Sequence, residues 1–89
     1  MNSEAKKPCL REDLATEEVD NELIVLHSEN GQIHKLNETA AFVLRMCDGN
    51  TSVAEIKEQL ATRYQVDSST VSKDVDDLID SFHALGLIG

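Results

Sequence analysis

The sequence predicts an α+β domain of winged helix-turn-helix type, an N-terminal three-stranded antiparallel sheet followed by three helices. Three observations carry this prediction. Between Asp13 and Leu36 the apolar residues come in short runs separated by turn dipeptides. From Asn37 onward they recur at helical spacing in three successive stripes, each with a capping residue before it. The chain has 89 residues, room for one domain with one modest core.

The elements follow in order. Residues 1–12 are polar, contain the only proline, Pro8, and have no periodicity, so they read as a flexible arm before a domain spanning 13–89. Leu14 to Val19 is a first strand, closed by the turn signal Asp20-Asn21. Leu23-Ile24-Val25-Leu26 is apolar and partly β-branched, as expected of a well-covered strand. Asn30-Gly31 is a tight-turn dipeptide, because both residues tolerate positive φ. Gln32 to Leu36 then forms a third strand, polar enough with His34 and Lys35 to lie at an edge of the sheet.

The helices start at Asn37, Ser52 and Asp67 or Ser68. Asn37 caps a stripe of Ala40, Val43, Leu44 and Cys47, which Asp48-Gly49 terminates. Ser52 and Glu55 are spaced as a capping box for a stripe of Val53, Ile56, Leu60 and Tyr64. The third stripe is Val71, Val75, Leu78, Ile79, Phe82 and Leu85, with Gly86 ending the helix and Leu87-Ile88 packing back.

Charge excludes several functions. Eight basic residues against 17 acidic give a net charge of −9. Phosphate backbones are bound by clustered Lys and Arg, and the one basic pair here is Lys6-Lys7. The third helix carries Asp67, Asp74, Asp76, Asp77 and Asp80 against a single Lys73, so its insertion into a DNA groove would be repulsive. No apolar run approaches the ~18 residues that span a membrane, and Met1 to Cys9 lacks an apolar signal segment, so a cytoplasmic protein is expected.

The candidate chemistry is sparse. His27, His34 and His83 have no second ligand at helical spacing, and Cys9 and Cys47 belong to no C-x-x-C pair, so neither a metal nor another cofactor is expected. Cys47 lies on a core stripe with no paired base and no oxyanion loop, so no catalytic residue is expected either. Asp80-Ser81-Phe82 approaches the pantetheine-attachment motif of carrier proteins, but Ser81 falls late inside a helix instead of opening one. What remains is peptide binding: an edge strand offers unpaired N–H and C=O groups to an added strand, with the third helix as a wall.

The stretch Gly31-Gln32-Ile33-His34-Lys35-Leu36-Asn37-Glu38-Thr39-Ala40 resembles the strand and Leu-Asn-x-Thr-Ala signature of the coenzyme PQQ synthesis protein D family. Leu44, Cys47-Asp48-Gly49, Thr51-x-Val53-x-x-Ile56, Leu60, Tyr64, Asp74-Val75 and Leu85-Gly86-Leu87-Ile88 follow in the family's order. The resemblance runs from about Asp13 to the C-terminus. It implies a non-catalytic recognition element for ribosomally made, modified peptides, which binds a precursor's leader by strand addition and presents it to an enzyme. That enzyme is often a radical S-adenosylmethionine protein. Carried over by position, the pairing edge would be Gln32, Ile33, His34, Lys35 and Leu36. The helical wall would draw on Val71, Asp74, Val75, Asp77, Leu78 and Phe82.

Several wall residues also lie on the core stripe, so only the rim of that stripe should touch peptide. Asp74 and Asp77 could pair with a basic leader residue. The third strand alternates imperfectly, so either Ile33 and Lys35 or His34 and Leu36 could face the groove. An exposed edge strand would equally support a homodimer. The competing function is a degenerate winged-helix DNA-binding regulator.

Overall fold

The computed structural model describes residues 5–29 and 31–88. The chain runs β1 (Leu14–Val19), β2 (Glu22–His27), β3 (Ile33–Leu36), α1 (Glu38–Arg45), α2 (Val53–Tyr64) and α3 (Ser68–Ala84). The sheet is antiparallel in the order β1-β2-β3, which leaves β1 and β3 as its edges. This is the predicted winged-helix class.

The turns show how each element is bounded. Asp20 adopts φ 58° between β1 and β2, a conformation a short polar side chain tolerates better than most. At the second turn Gly31 takes φ 72°, whereas Asn30 lies outside the described residues. The Gly31 N–H donates to the carbonyl of His27 (2.7 Å) and the His27 N–H to that of Gln32 (2.8 Å), so the connection spans 28–32 rather than a two-residue turn. Gln32, expected in the strand, sits just before it.

Each helix start is a side-chain cap. The Asn37 side chain accepts from the Ala40 N–H at 2.9 Å. Ser52 and Glu55 form the reciprocal capping box, with both bonds at 3.2 Å. Asp67 accepts from the Ser69 N–H at 3.2 Å. Such caps each stabilise a helix by about 1 kcal/mol. At the end of α2, Gln65 takes a left-handed conformation, φ 52°, without a glycine, which the sequence did not announce.

The core lies between one sheet face and the helices. Leu23 and Val25 of β2 and Leu36 of β3 meet Ala40, Ala41, Val43 and Leu44 of α1, Val53, Ile56 and Leu60 of α2, and Val71, Val75 and Phe82 of α3. Leu87 and Ile88 pack back into it as expected, whereas Leu85 stays exposed. Full burial of a side chain such as Phe82 contributes about 1.5–3 kcal/mol.

The arm differs from expectation. Residues 6–11 are strapped across the helical side by backbone hydrogen bonds: Lys6 O to Val53 N, Pro8 O to Gly49 N, Leu10 N to Cys47 O, and Arg11 N to Leu87 O, at 2.8–3.0 Å. Pro8 is buried, and Leu10 bridges Ile88. Polar composition suggested a free arm, but these bonds use main-chain groups that side-chain patterning does not register.

Candidate functional site

The hydrogen-bond phase of the sheet decides what its edge offers. The pairs are Leu26↔Ile33, Val25↔His34, Ile24↔Lys35 and Leu23↔Leu36. The bond from His27 N to Gln32 O makes that neighbouring pair a hydrogen-bonded one. Antiparallel pairs alternate, so His34 and Leu36 bond to β2, while the N–H and C=O groups of Ile33 and Lys35 point away from it. The other edge agrees: Ser28 N donates to Asp13 O, which assigns Ala15, Glu17 and Val19 to β2 and turns the backbone groups of Leu14, Thr16 and Glu18 outward.

Side chains follow the perpendicular alternation. Ile33, 67% exposed, and Lys35 lie on the solvent face of the sheet, and Lys35 pairs there with Glu22 at 3.2 Å. His34 is half-buried and Leu36 is 9% exposed, both on the helix side. The alternation left open by the sequence thus resolves with His34 and Leu36 toward the helices. The His34 Nε2 is buried and has no hydrogen-bond partner among the described residues.

Across from the β3 edge stands α3. No Cα of β3 comes within 8 Å of one in α3, so the two elements do not close on each other. At the end of β3 a cleft of about 380 Å³ opens between Asn37 and Thr39 on one side and Asp74, Asp77 and Leu78 on the other. An added strand would lie about 4.8 Å from β3 and turn alternate side chains toward this cleft.

The predicted wall residues divide. Asp74 and Asp77 are exposed on the cleft, and Leu78 is half-buried beside them. Val71, Val75 and Phe82 are 3%, 0% and 1% exposed, so their side chains belong to the core and offer a ligand no surface. Helical spacing groups all six, but only rotation about the α3 axis separates core from rim. Asn37 and Thr39 were not anticipated as lining residues. The available signal was their position: a cap directly after an edge strand must sit at the end of that strand.

The cleft is acidic. Asp77 accepts a hydrogen bond from Lys73 at 3.0 Å, and this contact raises the lysine pKa above its usual value. Asp74 has no ion pair among the described residues. Further round the helix, Asp76 pairs with Lys57 at 3.0 Å. Asp76 and Asp80 also face Lys6 and Lys7 across a separate cleft under the arm.

Cys47 is a core thiol. It donates to the Val43 carbonyl at 3.3 Å, and burial pushes its pKa up to about 12, with Asp48 and Cys9 adding to the effect. It is therefore protonated and non-nucleophilic near neutral pH.

A three-stranded wing with an open edge facing a helix across a cleft defines a winged-helix module fitted for accepting an extended segment. The family model described as coenzyme PQQ synthesis protein D matches residues 22–88, and the chain belongs to that family. A PqqA binding protein of Methylococcus capsulatus is 36% identical over 74 residues, covering 83% of this chain and 73% of that protein. A second PqqA binding protein, from Rhodopseudomonas palustris, is 33% identical over 75 residues, covering 82% and 72%. Two solved structures share the fold. TbiB1, in complex with the TbiA(beta) leader peptide, aligns with a TM-score of 0.82 at 20% identity, over 90% of this chain and 93% of that one. Lasso peptide synthetase B1, complexed with the leader peptide, gives 0.83 at 23% identity, over 93% and 98%.

Proposed function

We propose that this protein binds the leader of a ribosomally made precursor peptide as a fourth strand on β3 and presents it to a modifying enzyme. The observation that carries the reading is the pair of outward backbone units at Ile33 and Lys35, beside a cleft that α3 leaves open. Family membership and the names of the relatives point the same way.

Main-chain pairing supplies affinity that tolerates sequence variation, and side chains entering the cleft supply selection. The proposed contact set is Gln32 to Leu36 along the edge, with Asn37, Thr39, Asp74, Asp77 and Leu78 around the cleft. Val71, Val75 and Phe82 support this wall from inside. The carboxylates of Asp74 and Asp77 favour a leader with a basic residue at the position that reaches them. Ordering a disordered leader offsets part of the interaction energy, so a micromolar Kd, about −8 kcal/mol, suits capture followed by release.

The chemistry in this reading belongs to the partner, a radical S-adenosylmethionine protein in the pathway the family name suggests, and this chain supplies no catalytic group. Nothing in the cleft favours DNA: its charged side chains are aspartates. No described helix is long and apolar enough to cross a membrane. A homodimer built on the same β3 edge would compete with the leader, and sedimentation with and without peptide would reveal it.

The test is an amide chemical-shift titration of labelled protein with the leader encoded beside its gene. Shifts concentrated at 32–39 and 74–78 are expected. Shifts confined to β1 or to the arm would overturn the reading.

A further inference from the structure

Three ligand-type side chains meet on the wing, away from the β3 cleft. Asp13 precedes β1, His27 ends β2, and Glu29 lies in the turn to β3. Each offers one ligand atom, and these atoms lie within 4.8 Å of one another. Exposed carboxylates gather often without consequence, but the histidine is different. His27 is 4% exposed, the one buried polar residue among those described, and its Nδ1 is buried with no hydrogen-bond partner. A buried, unpartnered imidazole nitrogen is costly and commonly signals a missing partner. The ring is also closely packed, since a Cβ at Gly86 would come within 3.2 Å of Nε2.

We propose that Asp13, His27 and Glu29 form a binding site for a divalent transition-metal ion of the zinc class, which ties the start of β1 to the β2–β3 turn. One imidazole with two carboxylates suits Zn²⁺ or Mn²⁺ better than the all-oxygen cations, and water completes the shell. In a tetrahedral zinc site ligand atoms stand about 3.4 Å apart, so atoms that lie within 4.8 Å of one another need close by no more than about 1.4 Å. Glu29 can make that movement, because its side chain is 72% exposed in a turn.

The two carboxylates already share a counter-charge. Arg11 Nε lies 3.1 Å from Asp13 Oδ1, and its Nη2 lies 3.7 Å from Glu29 Oε2. Both pairs are solvent-exposed and therefore weak, so a metal ion displaces the guanidinium, which has open water to swing into. Arg11 thus acts as a competitor for the site. The sequence hid the site because Asp13 stands fourteen residues from His27, and only the β1–β2 register brings the two ends together.

The test is calorimetric titration of the whole chain with Zn²⁺ at neutral pH, alongside ¹⁵N spectra of the histidine rings. One equivalent should bind and move the His27 ring nitrogens. Asp13→Asn and Glu29→Gln should each weaken binding at least tenfold, and Arg11→Ala should tighten it severalfold. These are surface changes, and unchanged melting without metal will show that each variant folds. No binding at millimolar Zn²⁺ would overturn the proposal. So would unchanged affinity in both carboxylate variants, or ring shifts at His34 or His83 with His27 unmoved.

Discussion

The sheet has two edges, and they differ in what stands opposite them. β1 has six residues and turns the backbone groups of Leu14, Thr16 and Glu18 outward; β3 has four and offers those of Ile33 and Lys35. By length alone β1 is the better template. Yet its side is occupied: Glu18 pairs with Arg45 at the end of α1, and Leu10 of the strapped arm lies alongside, leaving about 140 Å³ beside Thr16 and Glu18. The wider space at its start faces no helix and is lined by Arg11, Glu12, Asp13, Ser28 and Glu29. Beside β3 the helical layer draws back, and the cleft at its end is about 380 Å³. The difference teaches that an edge becomes a docking site through the room beside it and the wall across that room. Unpaired amides alone are common and are usually guarded.

The comparison can be tested by placing prolines at chosen phases of the two edges. The largest effect is expected at an inward position. Leu36→Pro removes an N–H that bonds to Leu23 and disturbs a buried side chain, so urea unfolding should show a loss of about 2–4 kcal/mol. Next comes the outward position. Lys35→Pro should keep the fold and weaken the leader at least tenfold by calorimetry, about 1.4 kcal/mol or more, because Pro cannot donate to the added strand. Thr16→Pro is its control on β1 and should leave leader affinity unchanged. Equal losses from both prolines would erase the distinction between the edges.

Smaller effects sharpen it. Reversing Asp74 and Asp77 together to Lys should weaken a leader with a basic residue about fivefold, and the gap should narrow in high salt. A gap that persists undiminished at high salt would mean the aspartates act through shape or hydrogen bonding instead. Smallest of all, Glu18→Ala removes an exposed ion pair on the guarded edge. It should change the melting free energy by less than about 0.5 kcal/mol and leave leader binding alone. Improved affinity in that variant would mean β1 competes for the peptide.

These positions also show how much of the fold and site is legible in the sequence. The caps Asn37, Ser52 and Asp67 and the three stripes were legible, because local hydrogen bonding and helical spacing act over a few residues. The strand order followed from short turns. The face of β3 was not legible, since Ile33-His34-Lys35-Leu36 mixes apolar and polar residues on both sides, and only pairing with Leu23 and Val25 settles it. Residues 6–11 look free in the sequence because their bonds are main-chain ones to Cys47, Gly49, Val53 and Leu87, far along the chain; residues 1–4 of the expected arm lie outside the described residues. On α3 the stripe holds from Val71 to Phe82 but not at Leu85, which is exposed past the helix end. Helical spacing does not separate Val71 and Val75 from Leu78, because that depends on how the helix is rotated against its neighbours.

Hydrogen exchange at single amides, with and without the leader, addresses the central claim most directly. Strand addition on β3 predicts that the Ile33 and Lys35 amides, unprotected in the free protein, exchange far more slowly when peptide is bound, while those of Leu14, Thr16 and Glu18 do not change. Slowing on the β1 amides, or binding that leaves Ile33 and Lys35 unprotected, would contradict it.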